Sequence, residues 1–214
     1  MSTSVMITDD HVLIREGLKK LLEYDGSVKV VSEAGNGKEC LEKCKDLIPD
    51  ILLLDINMPE LNGLETLKII RKRKLPIKVL ILTVHNEVEY LVNAIDIGVD
   101  GYILKDSEYA ELKKAITTIM YGESYIQPSL IPYLNNYLIK KDLDKDKLES
   151  LTKREVQVLI KVSEGNFNKD IATKLNISER TVKNHLSSIF KKIDVNDRTQ
   201  AAVFAIKNNL IKLH

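Results

Sequence analysis

The sequence predicts an α/β fold, a doubly wound five-stranded parallel sheet, followed by a small all-helical domain. Three observations carry that expectation. First, four short apolar runs in the first half each stop at a polar residue: Val5-Met6-Ile7-Thr8 before Asp9-Asp10, Ile51-Leu52-Leu53-Leu54 before Asp55, Val79-Leu80-Ile81-Leu82 before Thr83, and Tyr102-Ile103-Leu104 before Lys105. Strands buried on both faces read as continuous apolar runs rather than as alternating ones. Second, helical spacing separates these runs, and strands alternating with helices imply a parallel sheet covered on both faces. Third, the charge divides. Residues 1–127 carry 16 Lys+Arg against 21 Asp+Glu, a net of −5, whereas residues 148–214 carry 12 against 7, a net of +5. An acidic part joined to a basic part marks two domains, the second suited to a polyanion.

In chain order, Val12, Leu13, Ile14, Leu18, Leu21 and Leu22 recur at helical spacing over residues 11–23. Val28-Lys29-Val30-Val31 makes a second strand. Cys40, Leu41, Cys44, Leu47 and Ile48 fit a helix stopped by Pro49, which lacks an amide and clashes with the preceding turn. The Asp55 run precedes a helix over 64–73, the Thr83 run a helix over 87–97 closed by Gly98, and the Lys105 run a helix over 108–120. Five βα units with right-handed crossovers leave a doubly wound sheet. This first domain is expected over 1–121.

Residues 122–147 break the pattern. Gly122, Pro128 and Pro132 punctuate the segment and charges alternate through 140–147, so it reads as a linker with room for a helical turn or two over 130–139. From Leu151 every signal is helical. Thr152 caps a helix to about Ser163, which Gly165-Asn166 stops. Asn168 caps a short helix to Leu175, and Asn176-Ile177 makes a tight turn. Ser178 caps a helix to about Ile193, and Asp197 starts a last one through Val203 and Ile206. The second domain is expected over 148–214.

Residues 1–10 lack the basic start and apolar core of a secretory leader, and no stretch approaches the roughly 18–20 apolar residues of a membrane span. The expectation is a cytoplasmic protein with no membrane partner. Cys40 and Cys44, four apart, read as two reduced thiols on or under a helix. His11, His85, His185 and His214 are scattered, so no cysteine–histidine metal site is expected.

In open α/β sheets, ligands bind just beyond the carboxyl ends of the strands. Asp9, Asp10, Asp55, Thr83 and Lys105 therefore converge on one sheet edge. Neighbouring carboxylates raise one another's pKa unless a cation compensates. Mg²⁺ suits such a set, because it takes oxygen ligands, keeps waters and accepts phosphate oxygens as further ligands. A carboxylate can also act as a nucleophile and form an acyl phosphate. Asp55 is the better nucleophile candidate, being single and ending the central strand. Lys105 can pair with a phosphoryl oxygen as a point charge, and Thr83 can donate its hydroxyl to another.

These residues carry a resemblance. The paired Asp9-Asp10, the string Asp55-Ile56-Asn57-Met58-Pro59 with Gly63, Thr83, and Tyr102 three before Lys105 make residues 4–120 similar to the receiver domain of a two-component response regulator. The resemblance implies a flavodoxin-like, CheY-like sheet. It implies that Asp55 accepts a phosphoryl group from a cognate histidine kinase. It implies Mg²⁺ held by Asp10, Asp55 and the backbone carbonyl of Asn57, with Asp9 acting directly or through water. Thr83 and Tyr102 are then the switch residues. Thr83 moves to meet the phosphoryl charge and Tyr102 turns inward into the space left, so that one charge event biases a bistable element. Two departures stand out. Many receivers have Pro after the lysine, whereas Asp106 follows here, which makes a cis peptide unexpected. His85 lies two after Thr83, near the expected phosphoryl site, and is read as a loop histidine rather than as a group acting on the acyl phosphate.

In the second half, two short helices joined by a tight turn, the second one basic, suggest a helix-turn-helix. Val182, Leu186, Ile189 and Ile193 fall on one side of that second helix, with Arg180, Lys183, Asn184, Ser187 and Lys191 on or beside the other. The strings Leu151-Thr152-Lys153-Arg154-Glu155, Asn168-Lys169-Asp170-Ile171-Ala172, Thr181-Val182-Lys183-Asn184-His185-Leu186 and Asp197-Arg198-Thr199-Gln200-Ala201-Ala202 make residues 148–213 resemble the LuxR-type DNA-binding domain of NarL/FixJ-group regulators. The resemblance implies that Lys183, Asn184 and Ser187 face base edges, with Lys169, Thr181, Lys191 and Arg198 nearer phosphates. Asn184 can bond adenine bidentately and Lys183 can reach guanine. Phe167 stands where that group usually has a small polar residue, so it either packs under the turn or exposes an apolar spot.

The combined expectation is a DNA-binding response regulator. Phosphorylation of Asp55 controls homodimerisation and binding to promoter half-sites of double-stranded DNA, with RNA polymerase as a further partner. Chemistry of its own is limited to Mg²⁺-dependent self-phosphorylation from a phosphodonor and slow autodephosphorylation. Two other readings compete with it. A Mg²⁺-dependent phosphatase working through an aspartyl phosphate wants a second Asp close after the nucleophile, where Asn57 stands. A constitutive DNA-binding protein would use the first domain for protein contacts only.

Overall fold

The computed structural model describes residues 2–84 and 87–211. Two compact units divide between Asn135 and Asn136. The first holds strands β1 (Thr3–Thr8), β2 (Val28–Ala34), β3 (Ile51–Leu54), β4 (Lys78–Thr83), β5 (Gly101–Leu104) and β6 (Tyr125–Ile126). They form one parallel sheet in the order β2-β1-β3-β4-β5-β6. Helices α1 (Val12–Glu23), α2 (Gly37–Lys43), α3 (Gly63–Lys72), α4 (Val88–Ile97) and α5 (Tyr109–Met120) connect the strands. Every residue of β3 is buried, which explains its unbroken apolar run. Alternate strand residues feed two cores. Met6, Leu52, Leu54, Val79 and Ile81 pack with α2, α3 and α4, while Val5, Ile7, Leu53, Leu80 and Ile103 pack with α1 and α5. Cys40 and Cys44 are free thiols in the first of these cores. Gly98 closes α4 at φ 96°, a left-handed cap that glycine adopts without a Cβ penalty.

The sheet has six strands rather than the expected five, and the segment 122–147 is structured. Tyr125 and Ile126 extend the sheet beside Gly101 and Tyr102. The Gln127 side chain then accepts from the Leu104 amide at 2.7 Å and the Ser107 hydroxyl at 3.0 Å. A Cβ on Gly101 would meet the Ile119 and Leu80 side-chain ends at 2.5 Å and 2.8 Å and the Tyr125 carbonyl at 3.2 Å, so a larger residue would crowd this edge. Past a short 3₁₀ turn, Leu130 is buried in the first core. Helix α6 (Ile131–Glu149) follows and continues into the second unit. Two residues of strand are too few to show a period, and α6 buries no residue, so it lacks the apolar stripe that marks a helix. Pro132 sits in its first turn, where the missing amide costs nothing.

The second unit adds α7 (Lys153–Ser163), α8 (Asn168–Leu175), α9 (Glu179–Ile193) and α10 (Arg198–Lys207). Thr152, Ser178 and Asp197 cap α7, α9 and α10 through their side-chain oxygens. Asn168 is the first residue of α8 rather than its cap. The cap position is Phe167, whose amide donates to the Asp170 carboxylate at 3.2 Å. Asn176 turns the chain between α8 and α9 at φ 53°, which asparagine tolerates better than bulkier residues. The core joins Val158, Leu159 and Val162 of α7 to Ile171, Val182, Leu186, Ile189 and Ile193, with Phe204 of α10 closing it.

Candidate phosphoryl-acceptor site and DNA-reading helix

The strand order reverses between β1 and β3, and this switch point is where doubly wound sheets leave a crevice. Asp9 follows β1 and Asp55 follows β3. The Asp55 amide donates to the Thr8 carbonyl at 2.9 Å, so the two carboxylates stand side by side. Both are almost wholly buried, at 2 % and 4 % exposure. Lys105, after β5, inserts between them. Its Nζ lies 2.6 Å from Asp9 Oδ2 and 3.0 Å from Asp55 Oδ2. Burial opposes the lysine's charge, but the bonds to Asp9 and Asp55 outweigh it and hold the ammonium above the ordinary lysine range. Burial pushes the Asp55 carboxyl above the usual carboxylate range. The Asp9 charge adds to that push, and Lys105 and the Ile56 amide, at 2.8 Å from Oδ1, only partly offset it.

Two neighbours of this site were not legible as such. The His11 amide donates to Asp9 Oδ1 at 2.9 Å, and its Nδ1 lies 2.8 Å from Asp10 Oδ1. Arg15, four residues further along α1, donates from Nη1 to the Asp9 carbonyl at 2.6 Å. Their one sequence signal is spacing: His11 abuts the acidic pair and Arg15 lies one helical turn beyond it. Asp10 is exposed, as is Asn57. Thr83 and Tyr102 are fully buried, so the Tyr102 ring already occupies an inward position. The His85 expectation lies outside the described residues. Among the described residues every peptide is trans, including that between Lys105 and Asp106.

The donor chemistry fits Mg²⁺. Asp9, Asp10 and Asp55 offer hard oxygens at one edge, and Asp9, Asp10 and His11 place ligand atoms within 4.8 Å of one another. Burial is the main cause that raises the Asp55 carboxyl, with a smaller contribution from the Asp9 charge, and a cation at this edge would favour the charged form of both.

Gly63 fixes the approach of α3 to this edge. Its amide donates to the Ile56 carbonyl at 2.8 Å, and a Cβ there would sit 2.1 Å from the Asp55 carbonyl oxygen. The obstacle is backbone and cannot swing aside. Gly63→Ala is expected to lower unfolding stability by roughly 2–3 kcal/mol, the cost of overpacking, as measured by urea titration. An unchanged midpoint would show that α3 shifts freely.

In the second unit, α9 buries Val182, Leu186, Ile189 and Ile193 and exposes Lys183, Asn184, Ser187 and Lys191. Lys169 is exposed near the start of α8. Thr181 is half-buried, its hydroxyl 2.8 Å from that of Ser178. Arg198 is half-buried and donates to Asn168 Oδ1 at 3.0 Å and to the Asn166 carbonyl. Two of its nitrogens thus tie α10 to the turn before α8, and a phosphate contact would share them. Glu155 is a further residue that sequence reading missed. It is buried, and its carboxylate accepts from Ser188 Oγ at 2.5 Å, Lys192 Nζ at 2.7 Å and the Thr152 amide at 2.7 Å, fastening α7 to α9.

Comparison with known proteins finds a family match in each half of the chain. Residues 5–117 match the model of the response regulator receiver domain, and residues 149–205 match that of the bacterial regulatory proteins of the luxR family. The chain is 40 % identical over 211 residues to the transcriptional regulatory protein LnrK of Bacillus subtilis, covering 95 % of this chain and 96 % of that one. It is 36 % identical over 212 residues to the response regulator protein VraR of Staphylococcus aureus, covering 99 % and 100 %. Among solved structures it resembles the response regulator ChrA of a heme-sensing two-component system, at 32 % identity and a TM-score of 0.55 over 98 % of this chain and 99 % of that one. It also resembles RcsB solved as dimers bound to DNA, at 25 % identity and a TM-score of 0.62 over 96 % and 98 %. Among the described residues no helix is long and apolar enough to cross a membrane. With a receiver sheet ending in Asp9, Asp55 and Lys105 and a helix-turn-helix on the same chain, the protein belongs to the LuxR family of DNA-binding two-component response regulators.

Proposed function

We propose that this regulator is switched by phosphorylation of Asp55 by a histidine kinase, and that the charge so placed controls homodimerisation and binding to promoter half-sites. The observation that carries the reading is the Lys105 ammonium held between two buried carboxylates at the switch point of the sheet. An Asp55 oxygen attacks the phosphorus of the donor, a phosphohistidine or a small acyl phosphate, and the bond to the donor breaks. The resulting acyl phosphate places oxygens where Lys105 can exchange part of its bonding with Asp55 for a phosphoryl oxygen. The Thr83 hydroxyl donates to another oxygen, which couples the site to Tyr102 on the neighbouring strand. Asp10, Asp55 and the Asn57 carbonyl, with Asp9 directly or through water, would hold Mg²⁺. When bound, Mg²⁺ neutralises charge on the donor's phosphate oxygens. Water slowly hydrolyses the acyl phosphate to the Asp55 carboxylate and inorganic phosphate, so any consumption of a phosphodonor is limited to that slow step. Asn57, where a phosphatase of this type would want an acid, supports that assignment.

For the reader, α9 enters the major groove with Lys183, Asn184 and Ser187 on base edges. Lys169, Thr181 and Lys191 lie nearer phosphates, and Arg198 acts chiefly through the turn it ties. Two half-sites on DNA call for two protomers, and RNA polymerase is the partner that turns occupancy into transcription. The test is operator selection followed by binding at fixed salt, with and without acetyl phosphate and Mg²⁺. Tighter binding after phosphorylation is expected. Affinity indifferent to the phosphodonor would favour constitutive binding, with the receiver used for protein contacts. In the same assay, Lys183→Ala is expected to lose about 1–3 kcal/mol of specific binding and to relax preference at one base pair. Unchanged selection would remove Lys183 from the base contacts.

A further inference from the structure

The C-terminal unit displays one large apolar side chain in a place where it costs stability. The Phe167 ring is 77 % exposed. It sits at the cap of α8, and a phenyl ring has no oxygen to accept the open amides of the first turn, whereas Thr152, Ser178 and Asp197 do so for α7, α9 and α10. Serine there would stabilise the helix start and remove exposed apolar surface.

The turn that carries Phe167 is also held fast. The Asn166 amide and side chain both donate to the Lys161 carbonyl, at 3.2 Å and 3.0 Å. Lys174 Nζ donates to Asn166 Oδ1 at 2.5 Å, and Arg198 bridges the Asn166 carbonyl and Asn168 Oδ1. A turn held in this way loses little backbone freedom on meeting a partner, which leaves only the two side-chain torsions of the ring to be fixed. The partner surface follows from position. In a helix-turn-helix the first helix crosses the DNA backbone while the second occupies the groove, and α8 begins with Phe167 two residues before the exposed Lys169.

We propose that Phe167 is a DNA contact: its ring lies on the apolar surface of the duplex at the edge of the half-site, a deoxyribose or a thymine methyl, beside the phosphate that Lys169 meets. The inference rests on the reading of α9 as the groove helix, and its test separates the two. Phe167→Ser and Phe167→Leu are compared with wild type, Lys169→Ala and Lys183→Ala on the selected operator across a salt series, in the full chain. Phe167→Ser is expected to raise Kd roughly fivefold to tenfold, the value of a few tens of Å² of apolar contact. Its salt slope should match wild type, because no charge is lost, whereas Lys169→Ala lowers the slope by about 1. Phe167→Leu should recover part of the affinity. The thermal midpoint of Phe167→Ser should equal or exceed that of wild type, which sets the effect apart from misfolding. Uracil in place of thymine near the half-site edge weakens wild type and not Phe167→Ser if the methyl is the contact, and weakens neither if the sugar is. Wild-type affinity in Phe167→Ser alongside a loss in Lys183→Ala overturns the proposal and leaves the reader intact. Wild-type affinity in both overturns the proposal and also removes Lys183 from the base contacts.

Discussion

Asp55→Asn is expected to take up no phosphoryl label from acetyl phosphate and Mg²⁺, a fall in rate of roughly 10³-fold or more, because the amide oxygen is not a usable nucleophile. The geometry separates this loss from a loss of fold. Burial, with the Asp9 charge behind it, pushes the Asp55 carboxyl above its ordinary range. Such a carboxyl binds its proton more tightly folded than unfolded. Its contribution to stability is full below the usual carboxylate range and is lost as pH rises through the elevated value. At neutral pH the Asp55 charge therefore costs stability, and an isosteric amide removes the cost while Lys105 keeps its 2.6 Å bond to Asp9. Asp55→Asn should melt no lower than wild type at pH 7, and its DNA affinity should no longer respond to the phosphodonor. Labelling of the variant at the wild-type rate, abolished by EDTA in both proteins, would move the acceptor elsewhere, with the exposed Asp10 the next carboxylate at this edge.

The receiver site was legible because its strands are buried on both faces. A parallel strand with no solvent side has no alternation to blur its end, so the first polar residue after each run marks the carboxyl edge of the sheet. That logic put Asp9, Asp55, Thr83 and Lys105 at one sheet edge, and Lys105 does contact both Asp9 and Asp55. It did not reach His11 or Arg15, whose roles arise from the direction α1 takes on leaving β1. It also missed β6, whose pairing depends on the space beside Gly101 rather than on any property of Tyr125 and Ile126. Helix α6 escaped for the opposite reason, since a helix that buries nothing carries no period to read. In the second unit three of the four caps and the apolar stripe of α9 were plain, but the cap of α8 and the partner of each polar residue were not. Arg198 appeared as a phosphate ligand by resemblance, yet its guanidinium also serves the turn before α8. Glu155 appeared only as the last residue of the string that opens the second domain.

Glu155→Ala is expected to destabilise the helix-turn-helix unit by about 3 kcal/mol, near the lower end for removing one partner of a buried ion pair. Three donors lose their acceptor at once. The Lys192 ammonium, one-third exposed, can turn to water, while the Ser188 hydroxyl and the Thr152 amide lose the shared acceptor that ties α9 to the start of α7. For a unit of this size the midpoint should fall by roughly 12 °C or more. The chain has no tryptophan, so calorimetry on the full protein, with amide exchange over α7 and α9, is the suitable measurement. The pH dependence fixes the cause. Burial alone would raise the Glu155 carboxyl, but Lys192, Ser188 and the Thr152 amide reverse that and bring it down to about 2. A carboxyl depressed by folding contributes stability that is fully present above its unfolded pKa and is lost as pH falls towards the folded value. The gap between wild type and Glu155→Ala should therefore be widest near pH 7 and narrow from about pH 4.5 down to about 2. Glu155→Gln, which keeps an acceptor but not the charge, should fall between the two and lose that acid limb. A gap equally wide at pH 3 and pH 7 would mean that the side chain stabilises by filling space, and the link from α7 to α9 would then be steric rather than ionic.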